Sequence, residues 1–202
     1  MRIWDIHVHF PRNFQNPDAD PQAAVDHLAE RLRETHVVKA SLLCGGRFGL
    51  TYERSLEMAM KHEDLFVPHA VVDPEETTYE RIHELKRVGY RGLKIIGAHL
   101  GGTGNYDEAA SVARWRRWVF FDMSGGRTIE RHAVERGLIG KEIPIEKLIF
   151  GSDCAADEIH EHVERFIEIF DGLGLTEEEK DVLWYRNAAE LFGLEEPVWA
   201  EE

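Results

Sequence analysis

The chain has 202 residues, of which 43% are hydrophobic and 31% are charged, and it contains two cysteines. This length and composition predict one domain, residues 1–202, and exclude a disulfide-rich secreted scaffold. The formal net charge of −14 argues against binding to nucleic acid or to an anionic membrane surface. Because no apolar run could span a membrane and no secretory signal is visible, we expect a cytoplasmic protein.

Apolar segments alternate along the chain with segments of helical periodicity, which indicates βα units and a parallel sheet. Six strands are predicted: Ile3–Val8, Val37–Leu43, Leu65–Val72, Arg91–Ile96, Val119–Met123 and Leu148–Phe150. Helices are predicted at 20–35, 52–61, 76–88, 107–116, 128–136 and 157–170. A last helix is predicted to begin at Thr176, where Glu179 completes a capping box.

The first predicted strand carries Asp5, His7 and His9 at alternate positions. Strand side chains alternate between two faces, so these three are expected to point the same way. Two imidazoles spaced in this manner can share one metal ion of the zinc type. A half-buried strand whose histidines only form hydrogen bonds has the same pattern, and the spacing alone leaves both interpretations open.

A second polar segment, Gly151-Ser152-Asp153, directly follows the sixth predicted strand. A carboxylate just beyond the carboxyl end of a buried parallel strand lies where α/β barrels keep their chemistry. Asp153 also precedes a helical segment, and aspartate is a common helix N-cap. Both a functional role and a capping role remain open for Asp153 at this point.

Taken together, four segments resemble the amidohydrolase superfamily. The resemblance is to its amidohydrolase-related branch, which includes metal-dependent hydrolases and the aminocarboxymuconate-semialdehyde and resorcylate decarboxylases. The segments occur in the family's order and span nearly the whole chain. They are Asp5-x-His7-x-His9, His-Leu-Gly-Gly at 99–102, Leu-Ile-Phe-Gly-Ser-Asp at 148–153 and Asn-Ala-Ala-Glu-Leu-Phe-Gly-Leu at 187–194.

This resemblance implies a (β/α)8 barrel, which needs eight strands. The expected fold class is therefore α/β, a shortened or distorted TIM-like (β/α) barrel of about six parallel strands. Gly92–Ile96 resembles the family's fourth strand and Gly97–Gly102 the end of its sixth, so the fifth strand and its metal-binding histidine are expected to be missing. Strand edges left unpaired would favour a homo-oligomer with an interface at Arg91–Leu100.

The resemblance also implies a site. His7 and His9 would be metal ligands, Asp153 a further ligand or the general base, and His99 a ligand or a group that polarises the substrate. The cofactor would be a divalent metal, with zinc favoured over other ions. Asp5 would orient one of the ligands.

Five other residues are weaker candidates. Lys94 lies near the place of a lysine that is carboxylated in some amidohydrolases, although a packed lysine paired with a carboxylate is the simpler interpretation. His69 and Asp122 could line the same site. Arg127 could bind a substrate carboxylate, and a surface position is the simpler alternative. Cys154 is predicted to be a buried structural thiol.

The leading functional prediction is a metal-dependent hydrolase that acts on a small carboxylated or cyclic substrate through a metal-activated water. A non-oxidative decarboxylase on the same metal platform is one alternative. A non-catalytic shortened barrel that serves as an oligomerising scaffold is another, because a missing fifth-strand histidine would weaken catalysis. The expected partners are a small-molecule substrate and further copies of the chain.

Overall fold

The computed structural model describes residues 1–11, 20–45, 50–73, 75–91, 95–101, 106–116, 119–125, 134–135 and 137–193. In these ranges six strands alternate with helices, as predicted. The strands are β1 (Ile3–His9), β2 (Val37–Cys44), β3 (Phe66–Ala70), β4 (Ile95–Gly97), β5 (Val119–Asp122) and β6 (Leu148–Ile149). Every pairing between these strands is parallel, which confirms the α/β class.

The helices follow the predicted periodicity, and four of them begin at a capping side chain, Asp20, Thr51, Thr78 or Thr176. They are α1 (Pro21–Glu34), α2 (Tyr52–Ala59), α3 (Tyr79–Val88), α4 (Tyr106–Trp115), α5 (Ile159–Gly172), α6 (Glu177–Asp181) and α7 (Asn187–Phe192). The predicted capping box of Thr176 and Glu179 is confirmed. The start of α3 was predicted at Glu76, which is wrong, because the Thr78 side chain caps the helix by accepting the Arg81 N–H. Most of the helix predicted at 128–136 lies outside the described residues.

The strands form two three-stranded sheets, ordered β1-β2-β3 and β4-β5-β6, rather than one closed barrel. Backbone hydrogen bonds nevertheless join the sheets where β1 meets the segment after β6. The Ile6 N–H donates to the Phe150 carbonyl at 3.0 Å, and the Asp153 N–H donates to the His7 carbonyl at 2.9 Å. The edge of β1 that does not face β2 is therefore paired, and the carboxyl ends of β1 and β6 lie side by side.

The β1 strand does not keep the regular alternation that the sequence predicts. Its register against β2 shifts between Asp5 and Val8. The Asp5 carboxylate bonds to the backbone of its own strand two residues further on, where its Oδ1 accepts the His7 N–H at 3.1 Å. Asp5 therefore holds the backbone of the histidine strand, whereas the prediction placed its side chain beside His7 and His9.

The carboxyl-terminal helices pack against β1 and against the segment that follows β6. Trp4 of β1 is fully buried, donates its indole N–H to Ser41 Oγ at 3.2 Å and stacks on Phe192 with ring centroids 5.1 Å apart. A π-helical turn, Val182–Arg186, joins α6 to α7, and its Leu183 carbonyl accepts the Phe150 N–H at 3.1 Å. The end of the chain thus supports both β1 and the end of β6. Within the described ranges, no helix combines the length and apolar character needed to cross a membrane.

His69, at the carboxyl end of β3, lies against an aromatic ring and away from polar partners. Its ring meets that of Phe192 edge-on at 5.1 Å, and its Nε2 atom is buried with no hydrogen-bond partner among the described residues. Burial lowers the pKa of His69 to about 4. The residue is consequently neutral in the folded protein at physiological pH.

We expect His69 to make the protein less stable at mildly acidic pH. In the unfolded chain this imidazole takes a proton below its ordinary pKa of 6.5, whereas in the fold it does so only near 4. The free energy of unfolding is therefore unaffected by His69 protonation above pH 6.5 and decreases as the pH falls towards 4, because the unfolded state then binds the extra proton. Urea unfolding at about pH 7.5 and about pH 5 should show a smaller loss of stability for His69→Leu than for the wild type.

The exposed His160 on α5 provides the control, because His160→Leu should lose as much stability as the wild type over the same pH interval. Equal pH dependence in the wild type and His69→Leu would contradict the prediction.

Candidate metal centre

Three imidazoles and one carboxylate converge at the carboxyl ends of the strands. His7 and His9 lie at the end of β1, His99 lies in the turn directly after β4, and Asp153 lies beyond β6. Asp153 Oδ1 is 3.0 Å from His9 Nε2 and 3.6 Å from His7 Nε2, and Asp153 Oδ2 is 3.7 Å from His99 Nε2. All four residues proposed from the sequence therefore lie in one cluster.

The donor atoms of this cluster fit a divalent metal. One ligand atom each from His7, His99 and Asp153 lie within 4.8 Å of one another. His9 Nε2 completes the group, at 3.2 Å from His7 Nε2. Imidazole nitrogens together with a carboxylate are the donor set that zinc and related ions take in proteins.

His7 is held from behind by a buried aspartate. Its Nδ1 lies 3.0 Å from Asp122 Oδ2, and both residues are almost fully buried. Burial alone would lower the pKa of His7, but the hydrogen bond and charge of Asp122 outweigh it, so the pKa lies above its ordinary value. Burial would likewise raise the pKa of Asp122, yet its bonds to His7 and Ser124 leave it below the ordinary value. Asp122, a weak candidate for substrate contact from sequence, instead lies behind His7 and fixes the orientation of its ring.

Ser124 joins the cluster, although it was not among the residues predicted for the site. Its Oγ lies 2.9 Å from His99 Nδ1, 3.1 Å from His7 Nδ1 and 2.5 Å from Asp122 Oδ1. The only available signal was spacing, because Asp122-x-Ser124, at the end of β5 and just beyond it, repeats the two-residue interval of His7-x-His9 on β1.

Asp153 is ionised and partly open to solvent. Burial would raise its pKa, but the hydrogen bond with His9 and the nearby histidines outweigh burial and hold the pKa below the ordinary range. The side chains of His9 and Asp153 are 41% and 24% exposed, whereas that of His7 is 10% exposed. The cluster is therefore deep at His7 and accessible to a small molecule at His9.

The capping interpretation of Asp153 is wrong. The next helical turn, Ala156–Glu158, has Ala155 at its N-cap position, and the Ala155 N–H donates to the Glu158 side chain at 3.3 Å. Asp153 lies two residues earlier, so its carboxylate is left to face the histidines.

Two members of the cluster have left-handed backbone conformations. The φ angle is +56° at His99 and +47° at Asp153, a region that histidine and aspartate visit more readily than most residues. Each is held by a neighbouring strand: the His99 N–H donates to Asp122 Oδ1 at 3.0 Å, and the Asp153 N–H donates to the His7 carbonyl. Such strain, worth about 1–3 kcal/mol per residue, clusters at functional sites.

Asp5 supports the cluster through the backbone. Its buried Oδ1 accepts the N–H groups of His7 and Ser152, the latter at 2.9 Å, and so ties β1 to the segment after β6. Burial raises the pKa of Asp5 to about 6. Cys154, next to Asp153, was predicted to be a buried thiol but is only half-buried, and that burial raises its thiol pKa to about 12. The other two candidates, Lys94 and Arg127, lie outside the described residues.

Gly151 permits the close approach of the strands that carry the site. A Cβ atom at this position would lie 2.9 Å from His7 Cβ, 3.3 Å from Ile6 Cγ2 and 3.4 Å from Asp122 Cβ. Real Cβ atoms do not approach others so closely, so any side chain at position 151 would push β1 and β5 away from the end of β6.

Sequence comparison assigns the family. Residues 4–194 match the amidohydrolase family, and the chain belongs to that family. A comparison with proteins of curated function finds no match.

Solved structures of the same fold include hydrolases and decarboxylases. A probable 2-pyrone-4,6-dicarboxylic acid hydrolase from Acinetobacter baumannii, with citric acid bound, has a TM-score of 0.71 at 17% identity, over 96% of this chain and 100% of the other. A TIM-barrel protein from Bordetella bronchiseptica has a TM-score of 0.69 at 11% identity, over 96% and 99%. A dihydroxybenzoic acid decarboxylase from Polaromonas sp. JS666, with manganese and 2-nitroresorcinol bound, has a TM-score of 0.63 at 13% identity, over 95% and 97%. The chain therefore shares its α/β fold with TIM-barrel proteins.

Replacing Gly151 with alanine should destabilise the protein by about 1–3 kcal/mol, because the added methyl group overpacks a site that has no room for it. Chemical denaturation would measure the loss. Gly172→Ala is the matched control, since Gly172 ends α5 with no atom within 4 Å of its would-be Cβ. That variant should keep or slightly gain stability. Equal stability of the two variants would show that β6 does not need a glycine at position 151.

Proposed function

We propose that this chain is a metal-dependent hydrolase that acts on a small carboxylated or cyclic substrate with water as the nucleophile. The observation that carries the proposal is the convergence of three imidazole Nε2 atoms on the Asp153 carboxylate. Zinc is the metal we favour, because the donors are imidazole and carboxylate. We place this site in a shortened or distorted TIM-like barrel that forms one domain.

His7 and His9 would hold the metal through Nε2, with Asp153 as a further ligand or the general base. When bound, the metal would polarise a substrate carbonyl and lower the pKa of a water molecule. An ionised Asp153 accepts the proton of the attacking water at a carboxylate oxygen and returns it to the leaving group as the carbonyl–oxygen or carbonyl–nitrogen bond breaks. His99, whose side chain is 29% exposed, is close enough to serve as a ligand or to donate to the substrate.

A non-oxidative decarboxylase is the second candidate. The observation in its favour is the fold shared with the manganese-containing dihydroxybenzoic acid decarboxylase. Both reactions would use the same four side chains, so the choice between them depends on the substrate and not on the ligand set.

The metal proposal is tested by comparing two double variants. One replaces the His-x-His pair of β1 with alanine, and the other replaces a second His-x-His pair, on helix α5. Purified without added metal, the wild type should carry close to one zinc or manganese ion per chain, and His7→Ala/His9→Ala should carry none. The matched control is His160→Ala/His162→Ala, a pair with the same spacing on helix α5, where positions two residues apart point to different sides. Equal metal content in the two double variants would rule out the β1 site.

The reaction is tested on the metal-loaded wild type with 2-pyrone-4,6-dicarboxylate and with dihydroxybenzoate. Ring opening of the pyrone would support the hydrolase, and release of carbon dioxide from the benzoate would support the decarboxylase. A chain without metal and without turnover would support the third possibility, a scaffold.

We further propose a cytoplasmic homo-oligomer. Cys44 and Cys154 are both free, as in a reducing compartment. Trp115 and Val112, one turn apart on α4, are 83% and 40% exposed, which is unusual for large apolar side chains. Helix α4 follows β4 in the chain, and β4, an edge strand of its sheet, lies in the Arg91–Leu100 segment proposed as the interface.

Light scattering at micromolar concentration should therefore give the mass of a dimer or a larger assembly. Trp115→Glu should shift the mass towards one chain, because a charge would be buried in the interface. Tyr79→Glu on α3 replaces another exposed aromatic residue, 71% exposed, and should leave the mass unchanged. A cooperatively folded wild-type monomer would overturn the proposal.

A further inference from the structure

The Ser124 hydroxyl lies between the rings of two proposed ligands. Its Oγ is 2.9 Å from His99 Nδ1 and 3.1 Å from His7 Nδ1. The same oxygen is 2.5 Å from Asp122 Oδ1, and Ser124 is only 1% exposed. Three hydrogen-bonding groups therefore surround one buried hydroxyl, which carries a single hydrogen.

The position of that hydrogen follows from the partners of Asp122. Its Oδ1 already accepts the backbone N–H groups of Ser124 and His99, at 3.1 Å and 3.0 Å, so this oxygen carries no proton. Two oxygens 2.5 Å apart need a hydrogen between them, and only the serine can supply it. Ser124 consequently donates to Asp122 and can only accept from the histidine rings.

The tautomers of both rings follow in turn. A ring nitrogen that faces an acceptor must carry a hydrogen, and His99 Nδ1 faces the Ser124 oxygen. His7 Nδ1 faces both the Asp122 carboxylate and the same hydroxyl, so it also carries a hydrogen. In neutral imidazoles the Nε2 atoms then carry no hydrogen, and these are the atoms that converge on Asp153.

We propose that Ser124 is a positioning residue that holds His99 in the Nδ1–H tautomer and links it to the His7–Asp122 pair. The consequence for metal binding rests on the proposed function, whereas the tautomer itself does not. His99 depends on Ser124 more than His7 does, because Asp122 Oδ2 still holds His7 when the hydroxyl is absent. Ser124 is not a nucleophile in this scheme, since its hydrogen is donated to Asp122 and its oxygen is buried.

The direct test is nitrogen-15 NMR of the histidine side chains in the metal-free protein, where the two tautomers have distinct ring spectra. In the wild type, at a pH above the raised pKa of His7, so that its ring is neutral, His7 and His99 should both show Nδ1–H. In Ser124→Ala, His99 should change to Nε2–H, because its Nδ1 loses its acceptor while Nε2 can donate to Asp153 Oδ2. His7 should be unchanged in that variant.

Metal affinity provides the second measurement. Competition with a zinc chelator should show binding weakened by about 10- to 100-fold in Ser124→Ala, as is typical when the partner of a ligating histidine is lost. Ser124→Thr keeps the hydroxyl and should restore both the tautomer and the affinity. Ser55→Ala is the control, because Ser55 is equally buried and its hydroxyl donates to the Thr51 carbonyl at 2.8 Å, within helix α2 and its cap.

The outcomes separate the two proposals. A change in the His99 tautomer without metal binding to any variant would support the role of Ser124 and contradict the metal-dependent hydrolase. An Nε2–H spectrum for His99 in the wild type, or an unchanged one in Ser124→Ala, would overturn the role of Ser124 whatever the metal result. If Ser124→Thr does not fold, the spectrum of Ser124→Ala still decides.

Discussion

The contact between β1 and the segment after β6 is the constraint on which the rest of the site depends. Gly151 makes the contact possible because it has no side chain, and the hydrogen bond from Asp153 to His7 fixes the two segments in register. Residues far apart in the sequence, His7 and His9 on one side and Asp153 on the other, thereby meet within 4 Å. The carboxyl-terminal helices add support from outside, because Trp184 packs on Phe150 and Phe192 on Trp4.

The charge balance of the cluster favours a cation. Asp5, Asp122 and Asp153 bring three carboxylates into a small, largely buried volume, and the raised pKa of His7 offsets only part of their charge. Burying a carboxylate is costly unless it is paired and hydrogen-bonded. Asp122 meets this requirement through four contacts, and Asp5 does so only in part, which is why burial dominates its pKa. A divalent ion beside Asp153 would complete the compensation.

Much of the fold could be predicted from the sequence because its strands are apolar runs between polar turns. All six strands were located, and the cluster of His7, His9, His99 and Asp153 followed from strand ends and resemblance. Local sequence patterns are enough to locate these strands and the polar residues at their carboxyl ends, since each strand is recognisable from its own apolar run.

The parts that escaped prediction depend on which strands are neighbours. Asp122 was predicted only as a residue that could line the site, and nothing in Ser124 indicates that β5 lies behind the end of β1. A glycine after a strand is typical of a turn and does not by itself indicate a point of close approach. The irregular register of β1 was also invisible, because the shift arises from pairing with β2 and from the bond between Asp5 and the His7 N–H.

The left-handed backbone at Asp153 limits which sequences can occupy that position as the family diverges. Aspartate and asparagine tolerate this conformation better than other residues with a side chain. Glutamate would bring the same acid on a longer arm, but it shares none of that tolerance. A related protein with asparagine at position 153 could therefore keep the backbone conformation while it loses the negative charge. Glutamate at the same position would keep the charge but would strain the backbone.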